Sequence, residues 1–225
     1  MAAKPFASSA DLAAKEQTLE VLADGVYALT AEGDPNVGAV EGEDFLVCFE
    51  AMATPVAARR WLALLREHTD KPVRYLVLSH YHAVRVLGAS AFDADVIVTH
   101  DKTRELIAER GKQDWASEFA RMPRLAEQAD SVPGLTWPTL TFSDRLTIDL
   151  GGDRGDLVLQ YCGRGTPRAT SSAGCRGRRC SSRATSWRPR PRSTPATPST
   201  ANGRRPPWTP SARSAPRHWS AGAAP

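Results

Sequence analysis

From Thr166 to Pro225 the sequence has no Leu, Ile, Val, Met, Phe or Tyr, and no Lys, Asp or Glu. Of those 60 residues, 53 are Arg, Pro, Ala, Ser, Thr or Gly. Such a segment has too little apolar surface to offset the entropy of ordering it, so disorder is expected over 166–225. The rest lacks other things. No apolar run approaches the roughly 18 residues of a membrane span, which excludes a spanning helix. The four cysteines are too few and too scattered for a disulfide framework. Cys48 and Cys162 lie in apolar runs and are expected as small buried hydrophobes. The start, MAAKPFASSADLAAKE, lacks the basic-then-apolar plan of a signal peptide, and a cytoplasmic location is the default expectation.

What is present divides by charge. The net +4 of the 225 residues hides 12 Arg in 166–225, which leaves 17 basic against 25 acidic residues, a net of −8, in 1–165. An acidic body thus carries a +12 tail. The tail would hold nucleic acid only non-specifically and in a salt-dependent way. It has no lysine and no RNA-binding motif.

The body reads as mixed α/β. TLEVLA, GVYALT, VGAV and DFLVCF alternate and turn like antiparallel strands. Thr54-Pro55 reads as an N-cap followed by proline at the first helical position. Behind it, Val56, Trp61, Leu64 and Leu65 fall near one helix face. PVRYLVLS and DVIVTH read as buried strands. Helical stretches follow in DKTRELIAERG and DWASEFARMPRLAEQA, then two more strands in LTFSDRLTIDL and DLVLQY. The expected organisation is an extension over 1–17, a domain over 18–165 and a tail over 166–225.

SHYHAVR follows the strand PVRYLVLS directly, and it places His80 and His82 one residue apart. Imidazole nitrogens suit zinc, and two histidines at i and i+2 just past a strand can converge on one ion. Loop histidines that bind nothing show the same spacing. Elsewhere, His100 reads as a strand-end residue, Asp101 as a helix cap and His68 as a partner of a helix C-terminus.

The stretch VRYLVLSHYHAVRVLGASAFDADVIVTH resembles the metallo-β-lactamase fold superfamily, whose motif at the end of a strand is HxHxDH. The resemblance covers about residues 18–165. It implies an αββα sandwich, of which this chain supplies the first half and the opening strands of the second. It also implies a zinc-dependent hydrolase of esters, thioesters, lactones or amides acting on a small-molecule substrate. His80 and His82 match the first two metal ligands. Val84 stands at the family's aspartate and Arg85 at its last motif histidine. Valine cannot ligate, and arginine stays protonated and repels a cation. A second metal is therefore not expected. Arg85 stands where it could hold an anionic substrate group, or it is an ordinary solvated arginine. Glu50 is the acid nearest to the family's structural aspartate, and it reads as a solvated loop residue.

The family takes its remaining ligands from segments like GHTPGD and SGD. Here LQYCGRG runs into TPRATS. Every residue after Gly165 except Asn202 and His218 has a codon with C or G at its second base. That is the mark of a GC-rich gene read one base out of frame. Reversing the slip, TPRATS admits H-T-P-G-D-L and SSRATS admits L-F-S-G-D-L. The reading is that the protein from Thr166 on is translated out of frame. The metal site is then incomplete, and the chain is expected to be a poorly stable, impaired hydrolase. The alternatives are a metal-free anion-binding pseudoenzyme and a protein that binds nucleic acid through the basic tail.

Overall fold

The computed structural model describes residues 12–32 and 34–163, and the backbone of 171–176. Among the described residues ten strands form two sheets, a larger one of seven strands in sequential order and a smaller one of three.

β1 (Thr18–Ala23), β2 (Val26–Thr30), β3 (Val37–Glu41) and β4 (Leu46–Phe49) form an antiparallel meander. From β4 onward the pairing is parallel, through β5 (Val73–Leu78), β6 (Val96–His100) and β7 (Leu140–Phe142). Parallel neighbours need crossovers. α1 (Pro55–Leu65) joins β4 to β5. A short helix α2 (Ala83–Val86) and a 3-10 turn (Leu87–Ala91) join β5 to β6. α3 (Asp101–Arg121) lies between β6 and β7.

α1 begins as its sequence requires. Thr54 accepts a hydrogen bond from the Ala57 amide, and Pro55 opens the helix. Its buried face is Pro55, Ala58, Trp61 and Leu65, while Val56 and Leu64 are half-buried. The two helical stretches expected within 101–129 are one 21-residue helix as far as Arg121. Gly111 does not break it. A Cβ there would sit 3.2 Å from a Leu135 methyl, so the glycine makes room for that side chain. The helix stops before Met122-Pro123, because a residue preceding proline is disfavoured in helical conformation.

The large sheet is apolar on both faces, as its β-branched runs demand. Leu46, Cys48, Leu76 and Leu78 join Trp61 and Leu65 of α1 in one core. Val47, Val77 and Val98 face the other way. They pack with Ile148, Leu150, Leu157 and Leu159 from the small sheet.

LTFSDRLTIDL is two strands rather than one. β7 ends at Phe142, the chain turns through Ser143-Asp144, and β8 (Arg145–Asp149) starts the second sheet. β8 pairs antiparallel with β9 (Asp156–Tyr161). β9 also pairs with β10 (Ser171–Arg176), so the backbone ladder extends past the expected domain boundary at 165. Such pairing uses main-chain groups and does not depend on apolar side chains. The rest of the expected tail, 166–170 and 177–225, lies outside the described residues, as does the disorder expected of it.

Cys48 is buried, and burial pushes its thiol up to about 12. Cys162 is exposed instead of buried, because β9 ends one residue earlier. No helix among the described residues is long and apolar enough to cross a membrane.

Candidate metal centre

In open parallel sheets, ligands gather beyond the carboxyl ends of the strands. Three parallel strands deliver polar side chains there: β4 leads to Glu50, β5 to Ser79, His80 and His82, and β6 ends in His100.

Backbone bonds tie this end together. The Ala51 amide donates to the Arg85 carbonyl at 2.6 Å, and the Gly88 amide to the Met52 carbonyl at 3.1 Å. Gly88 has no alternative at this crossing, since a Cβ there would lie 2.0 Å from the Ala51 carbonyl oxygen. Glu50 and Met52 both adopt φ of 63°, a left-handed conformation that costs a side-chain-bearing residue roughly 1 kcal/mol or more.

His80 is buried, with Nδ1 2.7 Å from the Ser79 hydroxyl. Burial, then the charge of Arg85, then His82 bring its pKa down to about 3. His82 lies edge-on to it, ring centroids 5.2 Å apart, and packs at a 34° tilt against Tyr81, centroids 4.8 Å apart. The His82 Nδ1 is 2.9 Å from Oδ1 of Asp114 on α3. The other Asp114 oxygen accepts the Ala83 amide at 2.7 Å, which caps the start of α2. One turn further along α3, Glu118 is buried and paired with Arg121. His82, Asp114 and Glu118 are the one group of three metal-ligating side chains that converge among the described residues. His80 is not part of it.

The other expected residues fall as follows. Val84 packs in a small apolar cluster with Ala53 and Met122. Arg85 faces Glu50, with Nη1 3.9 Å from Oε1. Glu50 is not a solvated loop acid. It is 6 % exposed, and its second oxygen has no hydrogen-bond partner. Burial raises its pKa, with Arg85 and Ser79 pulling the other way. His100, not Asp101, caps α3. Its Nδ1 accepts the Lys102 amide, which leaves Nε2–H to donate to the Ser143 carbonyl at 2.7 Å. With both nitrogens engaged, His100 has no lone pair for a metal. His68 lies three residues past the end of α1; its ring packs on Tyr27, and it is its backbone amide that meets the helix end, donating to the Leu65 carbonyl at 3.0 Å. His218, like the rest of 177–225, lies outside the described residues.

Asp114 and Glu118 were not legible as site residues. Their i, i+4 spacing puts both on one helix face, but nothing local links them to a histidine 32 positions away. A cavity of about 430 Å³ opens near this end, lined in part by Met52, Ala53, Val84 and Leu125. Its arginines are already engaged, Arg60 with Glu127 and Arg124 with Asp34.

No family model matches the chain, and no curated protein matches it. Solved structures do. A metallo-β-lactamase from Pontibacter korlensis is 17 % identical with a TM-score of 0.51, over 71 % of this chain and 67 % of that one. A metallo-β-lactamase from Hirschia baltica is 15 % identical, TM-score 0.49, over 70 % and 66 %. The metallo-β-lactamase FIM-1 from Pseudomonas aeruginosa, solved in its mono-zinc form, is 16 % identical, TM-score 0.49, over 70 % and 64 %. The chain thus spans about two thirds of the length of these structures. The αβ layer over a second sheet, together with the first of these likenesses, shows that this chain carries the metallo-β-lactamase fold.

Proposed function

We propose that this chain is a metal-dependent hydrolase of the metallo-β-lactamase fold, impaired as encoded. Its substrate class is a small ester, thioester, lactone or amide. The observation that carries the reading is the pairing of His80 and His82 beyond β5, with an aspartate behind one of them.

The donor set partly fits zinc. Two imidazoles suit the ion, and a carboxylate–histidine pair is a common support for a ligand. Three protein ligands are the usual minimum for a catalytic zinc. Among the described residues no third ligating side chain converges with His80 and His82. When bound, zinc would supply Lewis acidity toward water and the scissile carbonyl.

The chain's own residues set what else can happen. His80 would ligate through Nε2 when its Nδ1–H donates to Ser79. His82 would ligate through Nε2, its other nitrogen being held by Asp114. Val84 is buried and apolar and can take no proton. Arg85 has the Glu50 carboxyl 3.9 Å from Nη1. The missing ligands follow if residues from Thr166 on are read out of frame, and we include that slip in the proposal.

The test compares two chains on a panel of esters, thioesters, lactones and amides with added zinc. One is the encoded chain, and the other has its frame restored by one base between the codons for Gly163 and Arg168. Hydrolysis by the restored chain alone is the expected result. Equal activity of the two would overturn the impairment, and activity of neither would overturn the hydrolase reading.

A further inference from the structure

Resting on the metal reading of His80 and His82, we infer that Asp114 is the positioning residue that decides which nitrogen His82 presents. The argument starts from hydrogen-bond chemistry. An ionised carboxylate only accepts. Asp114 Oδ1 lies 2.9 Å from Nδ1 of His82, so the proton sits on Nδ1 and the lone pair on Nε2. His80 has no such instruction. Its Nδ1 partner is the Ser79 hydroxyl, which both donates and accepts.

Asp114 is itself fixed. Its Oδ2 is committed to the Ala83 amide at 2.7 Å, so one carboxylate links the start of α2 to the ring of the residue before it. Its side chain is 12 % exposed, and Glu118 lies one turn away with its carboxylate held by Arg121. Both carboxylates of the His82 group therefore have partners already. That makes the group a support for one histidine rather than a second metal site. α3 is 21 residues long and anchored by its His100 cap, and it supplies the rigid frame.

Asp114→Asn separates the two jobs of the carboxylate. An asparagine has one acceptor. Accepting the Ala83 amide keeps the cap, and the NH2 then faces His82 Nδ1 and donates to it. The histidine proton moves to Nε2, where it blocks ligation.

The experiment uses the full chain, stripped of metal. Nitrogen NMR of the histidine rings reads the His82 tautomer in wild type and Asp114→Asn, assigned with His82→Gln. Zinc titration then gives the affinity of each. The expected result is an Nδ1 proton in wild type, an Nε2 proton in the variant, and zinc binding weaker by tenfold or more in the variant. An Nε2 proton on wild-type His82 overturns the inference without any variant, so it stays falsifiable if Asp114→Asn does not fold. A switched tautomer with unchanged zinc affinity also overturns it. A switched tautomer in a chain that takes no zinc at all upholds the control of His82 by Asp114 and overturns the metal reading instead.

Discussion

Acidifying the metal-free protein from pH 7 to pH 5 should cost it stability through one buried side chain, His80. Burial, Arg85 and His82 hold its pKa at about 3, against 6.5 for the same group in solvent. The unfolded chain therefore binds a proton that the folded chain refuses across that window. Stability rises with pH wherever the unfolded state binds more protons, so this contribution is complete above pH 7 and is lost on acidification. Between pH 7 and pH 5 the loss is about 2 kcal/mol, and it hardly depends on the folded value while that stays below about 4. Glu50 acts in the opposite sense. Its pKa is raised in the folded chain, so its carboxyl takes up a proton earlier than in the unfolded chain and adds stability as the pH falls. Wild-type data alone mix the two. His80→Gln removes one titration and leaves Glu50 and Arg85 in place. Urea unfolding with a chelator at both pH values gives four free energies. The wild-type loss should exceed the variant loss by about 2 kcal/mol. A difference under about 0.5 kcal/mol would refute the argument that burial and the neighbouring Arg85 charge keep His80 neutral.

Other expectations are independent of the metal. Trp61 is fully buried under the large sheet, so Trp61→Ala should cost about 3–5 kcal/mol in denaturant unfolding. At the opposite end of the sheet, Glu41 accepts hydrogen bonds from Tyr27 and Lys71, each at 2.7 Å. Burial alone would raise its pKa, but Lys71 and Tyr27 outweigh that and lower it. Its stabilisation is therefore present at neutral pH and lost as the pH falls through the carboxylate range. Glu41→Ala, which removes the carboxylate partner of Tyr27 and Lys71 but leaves Lys71 its bond to the Gly42 carbonyl, should destabilise by about 1–3 kcal/mol at pH 7 and less in acid. Gly88→Ala should shift the Glu50 and Arg85 loops apart, visible as amide shifts confined to residues 50–54 and 82–91, since its Cβ has no room. Resequencing the codons for Gly163 to Arg168 should reveal one missing base or two extra ones.

How much of this was legible depends on how local the cause is. The strands of the meander follow from alternation, and the start of α1 from Thr54-Pro55. His80 and His82 follow from position just past a strand. Features set by contacts distant in sequence were not legible. Glu50 looks like a loop acid until the crossing at Gly88 closes over it. Asp114 meets His82 only because α3 runs unbroken through Gly111. Ser143-Asp144 separates two sheets, though the surrounding residues read as one strand. The outward residues of β8 and β9 include exposed Thr147, Asp149, Asp156 and Gln160. The exposed large apolar side chains among the described residues are Leu12, Val21, Leu22, Trp137 and Leu140. Val21 and Leu22 lie on β1 and Leu140 on β7, the two edges of the large sheet, where open backbone groups invite association.

The central proposal is that His80 and His82 belong to a zinc site whose other ligands do not converge on them among the described residues. Zinc titration of the purified full chain, repeated for His80→Ala and His82→Ala, tests it most directly. The account predicts weak binding that a mild chelator removes and that either substitution abolishes. One zinc per chain that survives dialysis against a chelator, or weak binding indifferent to both substitutions, would contradict it.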